Sequence, residues 1–308
     1  MMRARAAAPT DLPALLELFE RSFGHAVTAA AWEWKYRSAP GEARSVLAER
    51  GGRPVAHAGA LCLPARLRGA RRGIWQLVDF MGTTAGAGLR PPLVVAGRAL
   101  LADLPRRGDA PWIFGFPSRR HFALGERAFG YAPLHTVQPW TGALSEADPS
   151  AADGPEVSDQ AGEWAERAWE ACGVDSVARS VAFLNWRYHA RPDRYYRFYR
   201  LRPPDGRAEG LAVFALHAPV ALAAELWLPP GGDWGPALRA AGRDLARAGM
   251  SEWRFWPPPP GLALEARLAE LGCRPAGAPV FVGCRGADAG PVAADAGFYY
   301  AMGDYDLV

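Results

Sequence analysis

The sequence predicts an α/β protein built from two copies of one unit, and three observations predict it. A pattern of Trp, a basic residue and Tyr, with Pro four positions after the Tyr, occurs at Trp34-Lys35-Tyr36 with Pro40. It recurs at Trp186-Arg187-Tyr188 with Pro192. The offset, 186 − 34 = 152, is close to half of the 308 residues. Helix-like and strand-like segments follow one another in the same order around each pattern. Between the copies runs a polar stretch rich in Pro, Gly and Ala, from Glu146 to Pro155, which has the composition of a linker.

The first copy begins with an amphipathic helical pattern over 11–23, in which Asp11 reads as an N-cap ahead of Leu12, Leu15, Leu16 and Phe19. Its counterpart is 157–172. After each Trp-basic-Tyr segment come strand-like runs. These are 45–49, a Gly51-Gly52 turn and 55–63 in the first copy, then 195–201, a Pro204-Asp205-Gly206 turn and 210–216 in the second. An apolar strand, a Gly-rich loop and a helix follow: 74–81, 82–88 and 91–104, then 221–228, 229–232 and 236–248. Next is an aromatic strand ending in proline, 112–117 and 253–257. A helix then closes on an apolar-Gly-X turn, Phe129-Gly130-Tyr131 and Leu271-Gly272-Cys273, and a last strand ends each copy. The order is strand, two helices, three strands, helix, strand, helix, strand, twice over. The expected division is residues 1–145, a linker over 146–156, and residues 157–308.

Composition narrows the function. The net charge of +3 is too small to imply a dedicated nucleic-acid binder, while the pI near 8.8 is in keeping with an anionic ligand. No run reaches the ~18 apolar residues of a membrane-spanning helix. Cys62, Cys172, Cys273 and Cys284 form no C-x-x-C pair, so reduced thiols and a cytoplasmic location are expected. Residues 1–5 also lack the apolar core of a signal peptide. His25, His57, His121, His135, His189 and His217 are scattered without metal-ligand spacing, so no metal is expected. Lys35 is the one lysine among 35 basic residues, read as coding bias toward arginine.

The element order resembles the GNAT fold of GCN5-related N-acetyltransferases. The motifs resemble a tandem-GNAT group that carries W-[KR]-Y-x-x-x-P in both halves, G-F-P after the fifth strand (Gly115-Phe116-Pro117) and a C-terminal G-D-x-D (Gly303-Asp304-Tyr305-Asp306). The resemblance implies two tandem GNAT domains, each a mixed, mostly antiparallel sheet flanked by helices. It implies transfer of an acetyl or other acyl group from acetyl-CoA or another acyl-CoA to the amine of a small molecule or peptide, by direct attack. It names neither the acceptor nor the oligomeric state.

In that fold the fourth and fifth strands part, and a strand N–H meets the thioester carbonyl as it gains charge. A Gly-rich loop at the next helix then presents N–H groups to the diphosphate. Here the resemblance puts the acyl-CoA against Phe80, Met81, Gly82, Gly86, Ala87, Gly88, Leu89, Arg90 and Ser118. Aligning Gly88 with the central glycine of R/Q-x-x-G-x-G/A puts Ala85 in place of Arg or Gln, and Arg90 in place of Gly or Ala. The alternative is a plain strand-to-helix turn. The second copy has Pro229-Pro230-Gly231-Gly232-Asp233, without the arginine, and reads as a non-catalytic copy that shapes the acceptor pocket.

Asp79, in an apolar strand just ahead of the loop, is the expected base, since desolvation raises a carboxyl pKa. The alternative is a structural Asp bonded to a neighbouring main-chain N–H. Tyr131 is the expected proton donor to the departing thiolate, and otherwise a core aromatic. Trp34, Tyr36, Trp186 and Tyr188 read as packing aromatics. Two other functions stay open: a FemAB-like transferase using aminoacyl-tRNA, and a non-catalytic tandem GNAT acting as a binding or scaffold protein.

Overall fold

The computed structural model describes residues 2–82, 91–104, 112–146, 154–206, 208–257, 264–285 and 298–305. Strand β1 (Met2–Ala6) leads through a 3-10 turn to α1 (Leu12–Phe23) and α2 (Ala29–Arg37). Strands β2 (Ala43–Arg50), β3 (Arg53–Leu67) and β4 (Ala70–Gly82) follow, then α3 (Pro92–Asp103), β5 (Ile113–Gly115), α4 (Arg119–Phe129) and β6 (Ala132–Val137). The chain continues with β7 (Trp140–Ala143), β8 (Glu156–Ser158), α5 (Glu163–Cys172), β9 (Asp175–Val177) and α6 (Val181–Leu184), which runs into a π-turn at Asn185–His189. Strands β10 (Tyr196–Leu201), β11 (Gly210–His217) and β12 (Val220–Trp227) precede α7 (Gly235–Arg247), β13 (Glu252–Phe255) and α8 (Leu264–Glu270). Strands β14 (Arg274–Pro275), β15 (Val280–Arg285) and β16 (Phe298–Tyr299) and a 3-10 turn at Met302–Asp304 end the described chain.

Two compact units result. Within the described residues, one comprises 2–64, 73–135 and 281–285, and the other 65–72, 136–280 and 298–305. They do not follow chain order, because each sheet takes in a strand from the other half of the sequence. The first sheet runs β1-β2-β3-β4-β5-β15-β6, and the second β14-β7-β13-β12-β11-β10-β8. Strand β15 pairs antiparallel with β5 (Gly283↔Gly115), and β7 pairs antiparallel with β13 (Gly142↔Trp253). The tip of β3 carries β9, which pairs in turn with β16.

In the first unit, helices cover both faces of the sheet. Leu15, Leu18 and Phe19, spaced i, i+3 and i+4 on α1, pack with Trp32, Leu47 and Met81 on one face. On the other, Ala96 and Leu100 of α3 pack with Ala56, Ala58, Ala60, Trp75 and Ile113. The small side chains of β3 let α3 approach closely. By strand alternation, the residues between them, His57 and Gly59, face α1 and α2. The second unit has one large core, in which Leu238, Ala241 and Leu245 of α7 meet Phe214, Trp253 and Phe255.

Two local expectations are corrected. Asp11 stands at the expected N-cap position of α1, but its carboxylate makes no capping bond to that helix and accepts instead from the Ala8 N–H at 2.7 Å and from Arg5 at 2.7 and 2.8 Å. Val157 begins no helix; it lies in β8 opposite Tyr199, and the helix starts only at Glu163. Among the described residues no helix is long and apolar enough to cross a membrane.

Candidate active site at a strand fork

Strands β4 and β5 pair in parallel at Trp75↔Ile113 and Gln76↔Phe114, and the pairing stops there. Strand β4 continues six residues further, while β5 ends one residue on, at Gly115, with its other edge paired to β15 from Ile113 to Gly115. Strands β12 and β13 repeat this design: their parallel pairing ends at Leu222↔Arg254, and β12 continues to Trp227. Three residues past each last pair stands a carboxylate, Asp79 in the first unit (79 − 76) and Glu225 in the second (225 − 222).

Each carboxylate also sits at a break in its strand. On β4, Trp75, Leu77 and Phe80 all belong to the α3 core, whereas Met81 belongs to the α1 core and Asp79 meets α2. Regular alternation would put 75, 77, 79 and 81 on one face. The one-residue shift falls at Asp79, whose φ is +49°. A left-handed conformation at a residue with a Cβ costs about 1–2 kcal/mol, so neighbouring contacts must hold it. On β12 the break is a bulge: Val213 faces Glu225 and Phe214 faces Ala223, leaving Ala224 extra just before the carboxylate.

Contacts hold Asp79 from two directions. Helix α2 starts at Thr28, whose hydroxyl accepts from the Ala31 N–H at 3.1 Å. Trp32, Lys35 and Tyr36, at i, i+3 and i+4, then share one helical face. The Lys35 ammonium donates to both Asp79 carboxylate oxygens at 3.0 and 3.1 Å, and the Tyr36 hydroxyl to Oδ2 at 2.7 Å. That hydroxyl is seated over Gly59, where any Cβ would overlap it. His57 Nδ1 lies 2.9 Å from the Asp79 main-chain carbonyl, and Nε2 lies 2.8 Å from Ser45 Oγ. A carbonyl only accepts, so Nδ1 carries the proton and Ser45 donates to Nε2. Burial pushes the His57 pKa below the ordinary imidazole value, against the pull of Asp79.

The second unit seals the equivalent carboxylate. Arg179 donates to both Glu225 oxygens at 2.9 Å and to both Asp304 oxygens at 2.8 Å. Tyr188 and Trp227 also donate to Glu225, Trp227 at 2.7 Å. The side chains of Arg179, Glu225 and Asp304 are all 0% exposed, against 10% for Lys35 and 4% for Asp79. Burial raises the Glu225 pKa against the pull of Arg179. The loop after β12 is filled by its own side chains. Trp234 lies 3% exposed with its indole donating to the Pro229 carbonyl at 3.0 Å, and Asp233 accepts from Gly235 N–H at 3.3 Å.

Of the residues expected at the site, Gly86, Ala87, Gly88, Leu89 and Arg90 lie outside the described residues. Phe80 turns toward α3 and meets Phe129 edge-on at 6.0 Å, Met81 packs under α1, and Gly82 abuts Ala56. Ser118 caps α4, accepting from His121 N–H at 3.3 Å. The Tyr131 ring lies over Gly125 of α4 and near Gly283 of β15, on the sheet face covered by α3 and α4. Asp79 and Tyr131 therefore stand on opposite faces of the first sheet. Cys172 is buried and its thiol is pushed up to about 12 by burial, which suits packing rather than nucleophilic chemistry.

Sequence reasoning missed Lys35, Tyr36, His57 and Ser45. One signal was present, since the single residue that departs from arginine usage is the one paired with Asp79.

The sequence matches no protein-family profile and no curated protein. Solved structures do match. A GCN5-related N-acetyltransferase from Kribbella flavida aligns over 94% of this chain and 72% of its own, at 15% identity and TM-score 0.66. A probable N-acyltransferase from Enterococcus faecalis V583 aligns over 94% and 73%, at 14% identity and TM-score 0.66. A tandem GNAT protein from the clavulanic acid biosynthesis pathway aligns over 94% and 99%, at 15% identity and TM-score 0.59. With its two forked sheets flanked by helices, the chain has the tandem fold of the GCN5-related N-acetyltransferases.

Proposed function

We propose that the first unit transfers an acyl group from an acyl-CoA, acetyl-CoA in the simplest case, to the amine of a small molecule or peptide. The fork carries this reading: β4 leaves β5 after Gln76, and the strand's alternation breaks within it at Asp79. Main-chain N–H groups beyond such a fork can stabilise the oxyanion formed when an amine adds to a thioester carbonyl. Phe80, Met81 and Gly82 would flank the thioester, with the loop to Arg90 at the diphosphate and Pro91 opening α3. When bound, acyl-CoA supplies the activated acyl group.

The two faces divide the proton chemistry. The amine approaches on the α1–α2 face, where Asp79 accepts its proton directly or through water. The thiolate departs on the α3–α4 face, where Tyr131 supplies a proton. The second unit, whose carboxylate and loop are closed by its own side chains, is a non-catalytic copy.

Melting temperature measured with acetyl-CoA, on the natural chain and on Gly88→Trp, tests this. Ligand at ~100 times Kd adds about 2.7 kcal/mol, a rise of several degrees, which the substitution abolishes. No rise with any acyl-CoA would overturn the reading in favour of a FemAB-like transferase using aminoacyl-tRNA or a non-catalytic binding protein.

A further inference from the structure

A left-handed residue with a side chain does not persist in a strand unless its surroundings fix it. At Asp79 they do so at both ends of the residue. The carboxylate is held by Lys35 and Tyr36 from α2, and the carbonyl by His57 from β3. Helix α2 is itself pinned over the same spot, since Trp32 stacks on Tyr36 at 4.7 Å and meets the His57 ring at 5.3 Å. Glycine would take φ +49° without help, yet the chain carries an aspartate and a buried apparatus to hold it. We propose that Lys35, Tyr36 and His57 are positioning residues: they hold the backbone break at Asp79 and so aim the β4 main chain at the acyl carbonyl. This rests on the acyl-CoA reading above and assigns a task to the Trp-Lys-Tyr segment that packing alone does not.

The requirement also accounts for the lysine. A compact ammonium reaches both carboxylate oxygens beneath the helix, at 8% residue exposure. A guanidinium is planar and larger and needs a different geometry.

The test reads the carbonyl directly and needs no acceptor. The C=O stretch of acetyl-CoA labelled with carbon-13 at the thioester carbonyl is measured by isotope-edited infrared spectroscopy, free and bound, with CoA affinity as the folding control. The natural chain is expected to shift the stretch to lower frequency. Lys35→Met is expected to lose that shift while still binding CoA. Lys35→Met with Asp79→Gly is expected to regain it, because glycine holds the left-handed conformation unaided. Lys35→Met with Asp79→Ala is expected not to. If Lys35→Met does not fold, Tyr36→Phe replaces it in all three proteins.

A single-substitution protein that keeps the full shift, or a glycine variant that behaves as the alanine one does, would overturn the positioning role. So would bound acetyl-CoA with an unshifted stretch in the natural chain, and that result would leave the acyl-CoA reading standing. Failure of the natural chain to bind acetyl-CoA at all would sink that reading instead.

Discussion

The two Trp-basic-Tyr segments share their Trp, their Tyr and the Pro that follows, and differ in what their basic residue does. In the first unit Lys35 serves the strand carboxylate directly. In the second, Arg187 lies on a π-turn and donates to the main-chain carbonyls of Gly303 and Tyr305, at 2.9 and 3.1 Å, while Arg179 takes over the carboxylate. Both tyrosines still donate to the carboxylate at the fork. The shared feature is thus a tyrosine–carboxylate bond at the point where two strands part. The difference is one of degree: both ion pairs are buried, but only that of the second unit is sealed completely, by Arg179 and Asp304. An ion pair sealed in this way serves architecture, and the proposed function gives proton chemistry to the less completely sealed one.

The largest expected effect breaks the comparison at the level of folding. A fragment of residues 1–145 lacks β15, which sits between β5 and β6. It is expected to show no cooperative thermal unfolding by circular dichroism, and a cooperative transition like that of the full chain would contradict the strand exchange.

Next come the ion pairs. Arg179→Leu leaves Glu225 and Asp304 buried without their cation, and urea denaturation is expected to show a loss of about 3–5 kcal/mol. Lys35→Met should cost less, about 1.5–3 kcal/mol, since it leaves one carboxylate without its cation where Arg179→Leu leaves two. A larger loss at Lys35 would reverse the assignment of the sealed site to the second unit.

Kinetics sharpen the contrast. Asp79→Asn is expected to cut turnover by ~10²-fold or more, measured with any accepted amine. Unchanged turnover would remove Asp79 from the proton path.

The smallest effect is one of pH. Because burial lowers the His57 pKa, the unfolded chain takes up a proton below about pH 6.5 that the folded protein refuses. Stability is therefore fully present above that value and falls as pH drops below it, by at most about 1.4 kcal/mol per pH unit for one proton. Urea denaturation across pH 5–8 is expected to show this slope reduced in His57→Gln.

Much of the fold was legible. The strands expected at 45–49, 55–63 and 74–81 lie within β2, β3 and β4, and the helices expected at 11–23, 91–104 and 236–248 match α1, α3 and α7 to within about a residue. The exchange of β7 and β15 was not legible, because a period of two says that a strand exists and not which sheet takes it. At the site, Asp79 stood out as a charge in an apolar strand. Its partners did not, because Lys35 meets it only after α2 folds onto the sheet, 44 residues away in sequence, and His57 and Ser45 come together only when their strands pair. Asp304 shows the same limit: G-D-x-D marked the tail as unusual, while its partner Arg179 lies 125 residues earlier.

Amide hydrogen exchange with and without acetyl-CoA puts the contrast between the units to the most direct test. Protection is expected along β4 from Asp79 onward, through the loop to the start of α3 and at β5. No change is expected from Glu225 to the start of α7. Protection in the second unit alone, or in neither, would contradict the assignment of the acyl-CoA site to the first fork.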